Sequence, residues 1–150
     1  MASTALIAAV EARCDAALPQ FTRIPLDDYS IAPTPPNNLD EFICTRYVGT
    51  TRDRLEVGGD PDAETNAYAE DGNFRIDVYI RVNPKFSSGN TKEARLQAVV
   101  ETVIRAFLGK NFDNVEIFTV SNGLDLPAGA PPGWWADSIS CGFHFESFGP

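Results

Sequence analysis

Apolar positions along the chain change period several times, and each change marks an element. After Ser3 or Thr4 as a cap, Leu6, Ile7, Val10, Cys14, Ala17 and Leu18 recur at helical spacing until Pro19 stops the pattern. A short extended piece at residues 20–25 leads into residues 27–38, where four prolines in or just before a polar stretch predict a surface crossing. In residues 41–51, Phe42, Cys44 and Val48 alternate with Ile43, Thr45 and Tyr47, which predicts a strand buried on both faces. Residues 57–72 are rich in glycine and carboxylates, too polar to pack alone and too long for a tight turn. They predict a mobile excursion between two strands, with Leu55, Val57 and Tyr68 as apolar footholds that a neighbour would order.

The clearest alternation follows. Phe74, Ile76, Val78, Ile80 and Val82 share one face and Arg75, Asp77, Tyr79 and Arg81 the other, predicting a half-buried strand with an outward charged face. A second helix starts at Asn90, with Glu93 placed to complete a capping box. Leu96, Val99, Val100, Val103, Ile104 and Phe107 form its stripe, and Gly109 ends it. Residues 114–120 read as a further strand and residues 123–133 as a loop. Ile139, Cys141, Phe143 and Phe145 then alternate with Ser138, Ser140, Gly142 and His144 in a final strand.

The segment FRIDVYIRVNPKFSSGNTKEA has the strand, polar joint and helix order of a phosphate-binding loop. It holds one glycine in the joint, no Gly-Lys pair, and lysines at Lys85 and Lys92, outside the place the terminal phosphates require. The joint therefore reads as an ordinary connection. The single histidine, His144, stands three residues from Cys141, which sends the two side chains to opposite faces of a strand and prevents a nucleophile-base pair. Asp60, Asp62 and Glu64 imitate the acids of a calcium loop, but Thr65 occupies the place of its sharp-turn glycine and Asp71 that of its closing glutamate. Asp27-Asp28 reads as a polar turn. No enzyme, cofactor or metal is expected. In Trp134-Trp135, adjacent strand positions face opposite ways, so one ring enters the core and the other is available for a subunit contact.

The 150 residues, 43% of them apolar, fit one domain with its own core. No apolar run approaches the ~20 residues of a membrane span, and MASTALIAAVEARCD lacks the basic region of a secretory signal, so a soluble intracellular protein is expected. Cys14, Cys44 and Cys141 are expected to be reduced and buried. A net charge of −9 without a basic run opposes specific nucleic-acid binding, yet an acidic wall lets a polyanion slide past.

The series ALIAAVEARCDAAL, the proline-rich crossing, EFICTRYVGT, the acidic excursion, FRIDVYIRVNP, TKEARLQAVVETVIRAFL and GWWADSISCGFHFE resembles the tail terminator proteins of long-tailed phages over nearly the whole chain. The resemblance implies an α+β fold with two main helices on one face of a mainly antiparallel sheet. It also implies a homo-oligomeric ring, typically a hexamer, on the head-proximal end of the tail tube. Such a ring stops tube polymerisation and presents the surface that joins the head. The implied partners are further copies of the chain, the tail tube protein and a head-completion or connector protein. DNA passes through the lumen without specific binding, no membrane is involved, and the place is the neck of the virion, assembled in the host cytoplasm. Candidate interface residues come from this sequence: Leu55, Val57, Asp60, Asp62, Glu64 and Tyr68 of the excursion, the outward Arg75, Asp77 and Arg81, and Trp134 or Trp135. A neck protein of the head-completion or tail-completion type, or a soluble small-molecule-binding α+β domain, are the alternatives.

Overall fold

A computed structural model describes residues 2–26, 31–54, 67–83, 92–124 and 129–148. Their element order is α1 (Thr4–Ala17), β1 (Arg23–Leu26), β2 (Glu41–Arg54), β3 (Ala67–Arg81), α2 (Lys92–Phe107), β4 (Asn111–Phe112), β5 (Val115–Leu124) and β6 (Trp134–Phe148). The strands form one open sheet in the order β1-β2-β3-β6-β5-β4, antiparallel except for the β1–β2 pair. The expected α+β class and mainly antiparallel sheet are present.

Both helices cover the same face. Leu6, Val10 and Cys14 of α1 and Val103 and Phe107 of α2 meet Ile43, Phe74, Ile76, Val78, Ile139 and Phe143 in the main core, all of them at most 1% exposed. Each helix stripe is apolar where it meets the sheet, and this burial is the chief stabilising term for both helices. Ser3 Oγ accepts from the Leu6 amide at 3.2 Å as the α1 N-cap. The Ser3 amide itself donates to the buried Glu70 carboxylate of β3 at 3.0 Å, so a strand residue completes the cap and ties α1 to the sheet. At the other end of α2, Gly109 takes φ 66°, the left-handed conformation that closes a helix.

Two expectations are corrected here. Residues 67–72 are not part of a mobile excursion. They open β3 and pair on one side with β2, from Tyr68 opposite Arg54, and on the other with β6, from Ala67 opposite Phe148. Two flanking ladders satisfy the backbone of this polar stretch, which outweighs its weak strand propensity. Leu55, Val57, Asp60, Asp62 and Glu64, with the Asn90 cap and Asp27-Asp28, lie outside the described residues.

The second correction concerns β3 itself, which is buried on both faces from Phe74 to Ile80. The charged face points into a second cluster, built on Phe42, Cys44, Tyr79 and Trp134. The proline-rich segment before β2 lies over it: Pro33 and Asp40 are buried, and the Ile31, Pro36 and Leu39 carbonyls accept from arginines of the sheet. A segment whose prolines cannot join a ladder thus serves as a cover, and its carbonyls receive guanidinium groups of the sheet.

Candidate functional site

The covered half of the second face carries a buried polar network rather than a free charged surface. Arg46 and Asp77, at 2% and 1% exposure, pair at 2.5 Å. Ser138 Oγ donates to the other Asp77 oxygen at 2.6 Å and accepts from Arg75 Nε at 2.7 Å, while Arg46 Nη2 reaches the Ile31 carbonyl at 2.9 Å. Arg81 lies 3.4 Å from Asp40 and 4.6 Å from the centre of the Trp134 ring. Arg75, Asp77 and Arg81 are therefore internal fastenings between β2, β3, β6 and the proline segment, and they do not form the outward interface face anticipated for them. Burial is tolerated because each charge meets an opposite charge, a hydroxyl, a carbonyl or a ring.

The tryptophans divide as strand alternation requires. Trp134 is buried edge-on against Phe42, at 5.0 Å between centroids and 74°, whereas Trp135 is 46% exposed. Tyr68 is half-buried in its ladder.

Toward the other end of the strands the second face is open, and its charges are acidic. Across the register, Asp53, Ala69 and Glu146 form one row and Asp71, His144 and Glu116 the next. His144 Nδ1 lies 2.7 Å from Asp71 and Nε2 3.2 Å from Glu146. Both ring nitrogens donate to carboxylates only in the imidazolium form. The hydrogen bond to Asp71, followed by that to Glu146, holds the His144 pKa above the usual histidine value. Phe118, 53% exposed, stands beside this ring, at 6.4 Å between centroids. An open groove of about 480 Å³ runs from here to the β4–β5 turn, lined by Asp113, Glu116, His144 and Glu146 among others. That turn places Asp113 and Asn114 at φ 45° and 66°, the twist a two-residue hairpin requires.

One groove of the helix layer carries the opposite charge. Arg13, Arg105 and Lys110 line a groove of about 290 Å³ with Ala17, Thr102 and Ala106. Arg13 donates from Nε and Nη2 to the Ala106 carbonyl at 3.0 and 2.8 Å, which holds it at the C-terminal end of α2, where cations are favoured. Leu108, 52% exposed, follows in the chain.

A larger open groove, about 570 Å³, lies between the Ala5, Ala8 and Ala9 side of α1 and Phe145 to Ser147 of β6. Its lining offers Asp113, Asn114, Glu146 and Ser147 as polar side chains, without a histidine or cysteine. Cys141 and His144 do face opposite sides, as expected: Cys141 is in the main core and His144 on the open face. All three cysteines are free and buried, and burial pushes the Cys14 and Cys44 thiols up to about 12, far from a reactive thiolate. Among the described residues no group of three His, Cys, Asp or Glu side chains is arranged to hold a metal, and no helix is long and apolar enough to cross a membrane.

No family model and no curated protein matches the chain. The acidic rows are hidden in the sequence because the composition of residues 67–72 reads as a loop, although the alternation of His144 with Phe145 puts Glu146 on the histidine's side. The cationic groove joins α1 to α2 across the fold, and no local pattern announces it.

Proposed function

We propose that this chain is a tail terminator of a long-tailed phage, a subunit of a ring that caps the head-proximal end of the tail tube and presents the head-joining surface. The observation that carries this reading is the form of the sheet. It is a mainly antiparallel sheet with both helices on one face and, among the described residues, strand edges that have a partner on one side only. Residues 51–54 of β2 run beyond β1 and pair only with β3, and residues 118–124 of β5 run beyond β4 and pair only with β6. Edges of this kind are extended by a neighbouring chain, and a repeated head-to-tail contact that closes makes a ring. A net charge of −9 suits a passage through which DNA slides without being held. Partners in this role are further copies of the chain, the tube protein below and a connector protein above.

The test is position in the particle. Particles carrying an epitope-tagged chain, decorated with gold-labelled antibody, should show label at the joint between tail and head. Label along the tube, at the distal tip or absent from particles would reject the reading.

A further inference from the structure

Most of the described cations meet a partner within the fold. Arg23 pairs with Glu11 and Asp15, Arg46 with Asp77 and Arg81 with Asp40, and Arg52 lies 3.8 Å from Glu70. Arg75 binds Ser138, and the buried Arg95 reaches the Arg81 carbonyl. The described cations that remain are Arg13, which donates to the Ala106 carbonyl, Arg105 and Lys110, and all three line one groove of the helix layer. Arg105 and Lys110 are exposed and Leu108 stands between them in the chain. On the open sheet face the reverse holds: Asp113, Glu116 and Glu146 line a groove whose histidine, His144, is already shared by Asp71 and Glu146, with Phe118 exposed beside it. The acidic patch thus joins one sign of charge to an exposed ring, and the exposed Leu108 lies in the chain between two cations of the groove; charge steers such a contact and apolar burial dries it.

We infer that the Arg105 and Lys110 groove of one copy docks on the Glu116 and Glu146 face of a second copy of this chain. The occupant is another copy because its own acidic face is the complement of the groove, and because in a chain of net charge −9 a cationic groove at the contact lowers the repulsion between copies. The two patches are different surfaces, so the contact is heterologous and repeats from copy to copy. The inference rests on the ring reading for its closure and adds the surfaces that make it.

The experiment uses two charge-reversed full-length chains. One carries Arg105→Glu and Lys110→Glu, the other Glu116→Lys and Glu146→Lys. Mass is read by sedimentation at low salt, with circular dichroism as the check on folding. Wild type should form an assembly larger than a dimer that weakens as salt rises. Each variant alone should lose association by more than about tenfold, because like charges then face each other. Mixed in equal amounts the two variants should assemble again, since every contact in an alternating assembly is then complementary. Should either reversed chain fail to fold, Arg105→Gln with Lys110→Gln and Glu116→Gln with Glu146→Gln replace them, each expected to weaken association. Variants that associate as wild type does, a mixture that stays apart, or a wild type that remains monomeric would overturn the inference. A wild-type assembly that stops at a dimer and obeys the charge swap would uphold the contact and reject the ring.

Discussion

Replacing Asp77 with Asn removes one charge from the centre of the buried network and leaves the side-chain volume nearly unchanged. Arg46, 2% exposed, then loses the charged carboxylate 2.5 Å from its Nε, while Ser138 and the Ile31 carbonyl remain in place. At the effective dielectric that fits protein interiors, two unit charges a few ångström apart are worth about 4 kcal/mol. Breaking a buried pair by removing one partner costs about 3–5 kcal/mol in practice, because an uncompensated charge stays behind. A domain is typically stable by about 5–15 kcal/mol, so the substitution should consume a large fraction of the total. With a urea slope of about 2 kcal/mol per molar, the midpoint of unfolding should fall by roughly 2 M. Replacing both members, Arg46→Met with Asp77→Leu, should cost less than Asp77→Asn alone, since it removes the charge together with its partner. A midpoint shift corresponding to under about 1 kcal/mol for Asp77→Asn, or a double variant less stable than the single one, would refute the assignment of this pair as the fastening between β2, β3 and the proline segment.

His144 makes a smaller, pH-dependent contribution. Its folded pKa is raised, first by Asp71 and then by Glu146, so the stabilisation is fully present below the unfolded value near 6.5 and is lost as pH rises through the folded value. On this half-exposed surface the effect is ~0.5–1 kcal/mol, and His144→Gln should flatten the stability profile over that window. An unchanged profile in urea titrations at several pH values would contradict the charged clamp. The two tryptophans should separate sharply: Trp134→Ala empties the site against Phe42 and should cost about 3–5 kcal/mol, whereas Trp135→Ala should change stability by less than about 0.5 kcal/mol. Similar losses from the two, measured by chemical denaturation, would mean that strand register here is wrong.

Much of the framework was legible because period decides face. The helix stripe ending at Phe107, the alternation from Phe74 to Ile80 and the opposite sides of Cys141 and His144 all follow from side-chain geometry alone. What period cannot decide is whether the second face of a strand meets water. Arg75, Asp77 and Arg81 looked outward because charge usually marks solvent, and only the packing of residues 31–40 over the sheet turns them inward. Likewise, the carboxylates of residues 67–72 suggested a loop, because their composition carries no sign that strands will flank them on both sides. Glu70 in particular is there to receive the α1 N-terminus, a partner 67 residues away. The two-residue strand β4 has only a weak local signal, since its turn uses Asp113-Asn114 rather than a glycine-containing pair. Where the remaining charges collect depends on which ion pairs form inside the fold, and no local pattern fixes those pairs.

Tail length in the absence of the chain tests the terminator role most directly. A ring that ends tube polymerisation should be required for a uniform length, so particles assembled without this chain, viewed by negative-stain electron microscopy, should show overlong tails of variable length that carry no heads. Supplying the wild-type chain in trans should restore one length and attached heads. Tails of normal, uniform length joined to heads without the chain would contradict the account.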